Sequence, residues 1–157
     1  MNILQEKWRN DQILGLDLIM HYDQVQMIDI SCKANLNFPQ TFNLEYQLHY
    51  AEKLSLTQLL KSKDDLWSVF QINDQLELDD GFILCGEGEM GNEGFIAKID
   101  KNNMLIWMLF SSRSNPFVRI VQDHDLLYIQ SSHQFYVVLN TKNMEIYISH
   151  ASGLNNE

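Results

Sequence analysis

The sequence predicts a mainly β fold, or a β-rich α+β fold, in which an antiparallel meander forms a curved sheet or a two-layer sandwich with one or two short helices. Short apolar segments with period-two alternation recur along the chain, and only one segment has clear helical spacing. The connectors DKNN, QDHD, SSHQ and NTKN are far shorter than the dozen residues that a parallel crossover needs. Consecutive strands are therefore expected to pair as antiparallel neighbours.

Chain length and composition predict a single domain over residues 1–157. The chain has 157 residues, of which 45% are hydrophobic, enough to bury a substantial core. The first residues lack the apolar run of a secretory signal, and the longest apolar stretch, 104–110, is too short to span a bilayer. We therefore expect a soluble, cytoplasmic protein in which Cys32 and Cys85 are buried thiols rather than a disulfide.

The N-terminal half is predicted to contain strands on either side of one helix. Residues 13–20 and 24–31 are expected to form a hairpin with a turn at 21–23. In the strand 43–50, four apolar side chains share one face: Leu44, Tyr46, Leu48 and Tyr50. A helix is expected after Ser55, which is a suitable N-cap for a segment in which leucines recur at helical spacing. A strand over 66–72 and a turn at 79–81 follow.

The C-terminal half is predicted to consist almost entirely of strands. They are expected at 82–86, 95–99, 104–110, 117–122, 126–130, 135–139 and 145–149. The phrases GFILCGEGEMGNEGFIAKIDKNNMLIWMLF and DLLYIQSSHQFYVVLNTKNMEIYI both alternate strands with polar turns, and this pattern resembles single blades of β-propellers. A closed propeller needs at least four blades of about 40–50 residues. The resemblance therefore implies a propeller-like meander rather than a propeller.

Negative charge is concentrated in one segment of the chain. Between Asp64 and Asp100 there are ten acidic residues and a single base, Lys98, so this segment carries nine of the chain's ten net negative charges. A field focused in this way steers cationic partners and repels nucleic acid. The sequence therefore favours a protein that binds a basic partner and disfavours direct nucleic-acid or membrane binding.

The glycine- and glutamate-rich loop 86–94 is predicted to be a solvated hairpin loop or part of an acidic binding surface. Its three glutamates oppose phosphate binding, and the spacing of an EF-hand calcium site is absent. The histidines form no zinc-type motif, and neither cysteine lies in a nucleophile signature. We therefore expect no catalytic residue, no metal, no cofactor and no enzymatic activity.

Small size, a cytosolic location, local acidity and the lack of catalytic motifs together resemble the acidic immunity proteins of contact-dependent inhibition and polymorphic toxin systems. That resemblance implies a heterodimer with one cognate toxin, which would be a basic nuclease domain because nucleases bind phosphate backbones. The residues expected to contact the toxin are the acids on either side of strand 82–86: Asp74, Glu77, Asp79, Asp80, Glu87, Glu89 and Glu93.

Two other functional classes stay open at this point. One is a chaperone for a secreted effector, which would contain substantial helices and would be favoured by a helix content above about a third. The other is a small sugar- or metabolite-binding β domain or a weak enzyme, which would be favoured by aromatic side chains on an exposed sheet face. The sequence leaves open the partner's identity, the interface and the oligomeric state.

Overall fold

The computed structural model describes residues 2–37, 43–62 and 64–150. In these ranges the chain forms two short helices and thirteen strands. In chain order they are α1 (Ile3–Arg9), β1 (Gln12–Leu14), β2 (Leu18–His21), β3 (Gln24–Ala34), β4 (Leu44–Ser55), α2 (Leu56–Ser62), β5 (Trp67–Val69), β6 (Gln71–Leu78), β7 (Gly81–Glu87), β8 (Gly94–Asp100), β9 (Leu105–Ser111), β10 (Phe117–Asp123), β11 (Leu126–Ser131), β12 (Tyr136–Asn140) and β13 (Ile146–Ser149).

The strands form two large antiparallel sheets and one small pair. The larger sheet has seven strands in the order β4-β3-β2-β9-β8-β7-β6, and the smaller has four in the order β10-β11-β12-β13. Strands β6 to β9 and β10 to β13 are consecutive meanders, as the short connectors predicted. Strands β1 and β5 form the separate antiparallel pair. The mainly β, antiparallel fold class is confirmed.

Both faces of the seven-stranded sheet are buried, each in its own apolar core. One face packs against the four-stranded sheet, where Ile96 and Leu109 meet Phe117, Phe135 and Val137. The other face is covered by the two helices and the β1–β5 pair, and its largest fully buried side chains include Phe95 and Phe110. This arrangement explains why strands β7 to β9 are apolar on both sides rather than alternating.

The two helices are capped as their sequences require. The predicted helix after Ser55 is confirmed as α2, where the Ser55 Oγ accepts a hydrogen bond from Gln58 N at 3.1 Å and Gln58 Oε1 accepts one from Ser55 N at 2.9 Å. This reciprocal pair is a capping box. Helix α1 begins after Asn2, whose side chain accepts from Gln5 N at 3.0 Å. The sequence did not locate α1, because Leu4 and Trp8 are its only buried apolar side chains and two positions do not define a period.

Two of the predicted strands are each divided in the structure, and both divisions correct the prediction. Residues 13–20 become β1 and β2 because the chain leaves one sheet and enters another at Gly15, whose N–H donates to Leu66 O at 2.7 Å. A Cβ on Gly15 would lie 2.8 Å from the Ser68 Cβ, so the approach requires glycine. Residues 66–72 divide into β5 and β6 on either side of Phe70, whose ring contacts the rings of Trp8 and Phe95.

The cysteines differ in exposure, which corrects the expectation that both are buried. Both are free thiols, but only Cys85 is buried; Cys32 is exposed near the end of β3. Burial, followed by the negative charge of Asp74, raises the pKa of the Cys85 thiol to about 12. Cys85 is therefore protonated and packs as a small apolar side chain.

Within the described ranges, neither helix is long and apolar enough to cross a membrane.

Candidate functional site

The seven predicted contact acids occupy three different places along the β6–β7 hairpin. Glu77, Asp79 and Asp80 lie at its turn. Glu87, Glu89 and Glu93 lie at the opposite end of β7, which has seven residues and is therefore about 20 Å long. Asp74 lies between these groups on β6, half-buried. The set therefore forms two separate acidic surfaces with one further acid between them.

Asp74 joins the two sheets. Its Oδ2 accepts a hydrogen bond from the backbone N–H of Ile120 on β10 at 2.8 Å, and its Oδ1 accepts one from Gln75 N at 2.9 Å. The neighbouring Asn73 donates through Nδ2 to Phe117 O at 3.0 Å. Strands β6 and β10 are the outer strands of their sheets, so these side chains satisfy backbone groups that no strand pairs with. The environment of Asp74 is that of a structural residue.

We expect Asp74→Ala to lower the free energy of unfolding by about 2 kcal/mol, because it leaves the Ile120 N–H without its charged acceptor. Urea unfolding at pH 7 measures the change. Glu77→Ala is the matched control on the same strand, since Glu77 is exposed, and its effect should stay within about 0.5 kcal/mol. Equal effects of the two substitutions would contradict the structural role of Asp74.

The turn of the β6–β7 hairpin forms one wall of a groove at the end of the sandwich. The groove has a volume of about 380 Å³, and its opposite wall comes from the β10–β11 and β12–β13 turns of the four-stranded sheet. Thr141 fixes that wall by donating to Asp125 O through both N, at 2.8 Å, and Oγ1, at 3.1 Å. We call this feature the acidic groove; its lining residues are Glu77, Leu78, Asp79, Asp80, Gln122, His124, Asp125 and Thr141.

Lysines neutralise part of the acidic groove. Lys98 Nζ lies 2.9 Å from Asp80 Oδ2, and its hydrogen bond lowers the pKa of that carboxyl group. Lys142 Nζ lies 3.3 Å from Asp125 Oδ2. Glu77 and Asp79 are exposed, and among the described residues neither forms an ion pair. These two carboxylates are therefore the ones in the groove with charge available to an incoming cation.

The acids at the far end of β7 have a different setting. Glu89 is exposed in the loop before β8, and Glu93 is half-buried with its Oε1 accepting from Met90 N at 3.0 Å. Asn115 N donates to Asn92 O at 2.9 Å, which ties this loop to the one before β10. The loop, which the sequence predicted to be a solvated hairpin loop or part of an acidic binding surface, is thus partly ordered by hydrogen bonds within it and to the loop before β10.

A second open surface lies between β4 and β13, the other pair of outer strands. This cleft has a volume of about 480 Å³ and exposes two tyrosines, Tyr50 at 57% and Tyr147 at 51%. Leu48, Ile146 and Ile148 line it between them. The sequence placed Tyr50 on the same face of its strand as Tyr46, which is buried, because alternation shows which side chains share a face but not where the covering sheet ends.

The backbone of β4 points its N–H groups into this cleft. Tyr46 N donates across the cleft to His150 Nε2 at 2.8 Å, so its N–H points away from β3. Ile28, which pairs with Tyr50, donates away from β4 to Asp17 O, so Ile28 and Tyr50 form a pair without mutual hydrogen bonds. By the same alternation, the N–H groups of Leu48 and Tyr50 also face the cleft.

In the described part of the chain, no group of three or more His, Cys, Asp or Glu side chains is placed to hold a metal ion. The carboxylates of the acidic groove lie on separate turns and are partly paired with lysines. The arrangement leaves Glu77 and Asp79 able to pair with a cation.

Comparison of the chain with protein-family models, with curated proteins and with solved structures finds no match.

Proposed function

We propose that this protein binds a basic protein partner through the acidic groove, and that it acts as an immunity protein that neutralises a toxin nuclease domain. The observation that carries the proposal is the pair Glu77 and Asp79, exposed carboxylates without an ion pair in the described chain, at the mouth of a groove between the two sheets. Arginine and lysine side chains of a nuclease's phosphate-binding surface are complementary to these groups.

The rest of the molecule supports a role in binding. Two buried cores fix the turns that form the groove, so the carboxylates are presented by a rigid frame. Long-range attraction would raise the association rate, while the apolar Leu78 at the groove would contribute contact after docking. Helices make up 10% of the structure, well below the third that would favour an effector chaperone.

The test is coexpression of the tagged protein with the product of the neighbouring open reading frame, followed by washes at low and high salt. We expect stoichiometric recovery of a basic domain that is toxic when expressed alone. Recovery of a nontoxic secreted protein, or of no protein, would overturn the immunity proposal.

The groove itself is tested by charge reversal in the recovered complex. Glu77→Lys with Asp79→Lys should reduce the association rate at low salt at least about tenfold. Glu87→Lys with Glu89→Lys, the matched reversal at the other end of β7, should reduce it much less. An equal effect of the two double variants would mean that general charge, rather than the groove, guides association.

A second candidate function rests on the β4–β13 cleft. Tyr50 and Tyr147 are aromatic side chains exposed beside a concave surface, which is the feature that a sugar- or metabolite-binding β domain would need. The absence of any recovered partner in the coexpression experiment would make a ligand screen against this cleft the next step.

A further inference from the structure

At one end of the cleft between β4 and β13, the His150 side chain bridges the two strands. His150 follows β13, and its Nε2 lies 2.8 Å from the backbone nitrogen of Tyr46 on β4. Towards Tyr50 and Ile146 the same two strands border the open cleft. The contact therefore marks the point where the outer strands of the two sheets are joined across the open side of the sandwich.

The chemistry of this contact fixes the protonation of His150. A backbone N–H only donates, so the Nε2 that faces Tyr46 must carry a lone pair, and the imidazole must be neutral with its proton on Nδ1. Protonation of Nε2 would place two N–H donors against each other. The hydrogen bond exists only while the ring is uncharged.

Tyr46 has further contacts besides those with His150, whose ring centroid lies 6.4 Å from its own. Its ring is 4% exposed and stacks on Phe135 with centroids 4.1 Å apart, and its hydroxyl lies 3.4 Å from His133 Nδ1. The Tyr46 N–H therefore keeps its direction when His150 leaves. Loss of the hydrogen bond is expected to release His150 and the end of β13 rather than to unfold the core.

We propose that His150 is a proton-sensitive latch: its neutral imidazole holds the end of β13 against the edge of β4, and protonation opens this end of the cleft. The inference does not depend on the proposed function, because it concerns the other open side of the sandwich.

The surroundings set the direction of the response. Burial lowers the pKa of His150 from its ordinary value of 6.5, and the negative charge of Glu45 opposes that shift. The unfolded or opened chain therefore takes up the proton at a higher pH than the closed one. The stabilisation of the closed state by the hydrogen bond between Tyr46 N and His150 Nε2 is fully present above pH 6.5 and is lost as the pH falls through the pKa of His150 in the closed state. Among the described residues, the titratable and charged groups around the contact are Glu45 and Tyr46 on β4, Cys32 and Lys33 opposite them on β3, and His133 in the β11–β12 turn.

Amide hydrogen exchange measured by NMR between pH 5.5 and pH 8 tests the latch on the intact chain. After correction for intrinsic exchange, protection of the Tyr46 amide should be constant above pH 6.5. Below it, protection should fall by up to about tenfold per pH unit. His150→Gln, whose Oε1 accepts at every pH, should remove this pH dependence, and His150→Ala should lower protection throughout. His124→Gln, at a histidine in the exposed β10–β11 turn, should behave as the wild type.

Comparing residues separates a latch from a general effect of acid. The chemical shifts of the Tyr46 amide and of the His150 ring should change with pH with the same midpoint. Core amides such as that of Ile96 should keep their protection from exchange over the same pH range. Unchanged Tyr46 protection down to pH 5.5, or wild-type pH dependence in His150→Ala, would overturn the proposal.

Discussion

Replacing Phe135 with alanine is expected to lower the free energy of unfolding by about 3–5 kcal/mol, the usual cost of truncating a fully buried phenylalanine. Phe135 is 0% exposed and lies just before β12. Its ring stacks on Tyr46 of β4 at 4.1 Å and meets the edge of the Phe117 ring, on β10, at 6.3 Å. One side chain thus contacts both sheets, and its removal leaves a cavity that neither sheet can close alone.

This loss would be a large fraction of the 5–15 kcal/mol that stabilises a typical domain, and the melting temperature should fall by roughly 6–20 °C. Urea unfolding followed by tryptophan fluorescence measures it. Phe135→Leu, which keeps most of the apolar volume, should cost less. Tyr147→Ala removes a half-exposed aromatic ring from β13 and should change stability by no more than about 0.5 kcal/mol. A Phe135→Ala variant as stable as Tyr147→Ala would contradict the placement of this ring between the sheets.

The antiparallel meander was predictable from the sequence because the features that determine it are local. Each short connector fixes which strands are neighbours, and turns such as 100–103 carry their own side-chain hydrogen bonds: Asp100 Oδ1 accepts from the N–H groups of Asn102 and Met104. Alternation fixes which residues share a face. The pattern at 44–50 was therefore sufficient to place Tyr46 on the face that packs against the second sheet.

The composition of the acidic groove could not be read from the sequence. Glu77 and Asp125 are 48 positions apart and belong to different sheets, and nothing local to either indicates that their turns meet. The sequence also grouped Asp74 with the exposed acids, although it bonds to the backbone of β10. Charge counts along a chain do not distinguish a carboxylate that is available to solvent from one that satisfies a sheet edge.

The location of helix α1 was missed for a similar reason. Its buried side chains are Leu4, Gln5 and Trp8, and their partners are distant in the sequence: Trp8 stacks on Phe70, and its Nε1 donates to Asn103 Oδ1 at 3.1 Å. The helix lies across the end of the β8–β9 hairpin. Besides the apolar contacts of Leu4 and Trp8, α1 is attached by polar contacts that have no period in the sequence, and two of these belong to Gln5.

We expect Gln5→Glu to lower the free energy of unfolding by about 2–4 kcal/mol at pH 8. Gln5 is 7% exposed, and its amide forms both hydrogen bonds of the Leu105 backbone: Nε2 donates to Leu105 O and Oε1 accepts from Leu105 N, each at 2.9 Å. In the variant a carboxylate oxygen would face the carbonyl of Leu105. One buried hydrogen bond would become a repulsion between acceptors, and a charge would be buried beside it.

The same variant should recover as the pH falls, because a protonated glutamate can again donate to the carbonyl while accepting from the amide. Burial would raise the pKa of this carboxyl group in the folded state above its unfolded value of about 4.3. Stability is then greatest below that value and is lost as the pH rises through the folded pKa, so the difference from wild type should narrow between pH 8 and pH 5.5. Urea unfolding at both pH values measures this change.

Gln58→Glu is the matched control, because it makes the same chemical change at an exposed position where the side-chain oxygen only accepts, from Ser55 N. A carboxylate in the first turn of α2 preserves the capping box and is favoured by the helix dipole, so this variant should be neutral or more stable by a few tenths of a kcal/mol. If Gln5→Glu lowers the free energy of unfolding and Gln58→Glu does not, the hydrogen bond that Gln5 Nε2 donates to Leu105 O holds α1 in place. Equal effects would mean that α1 is held by its apolar contacts alone.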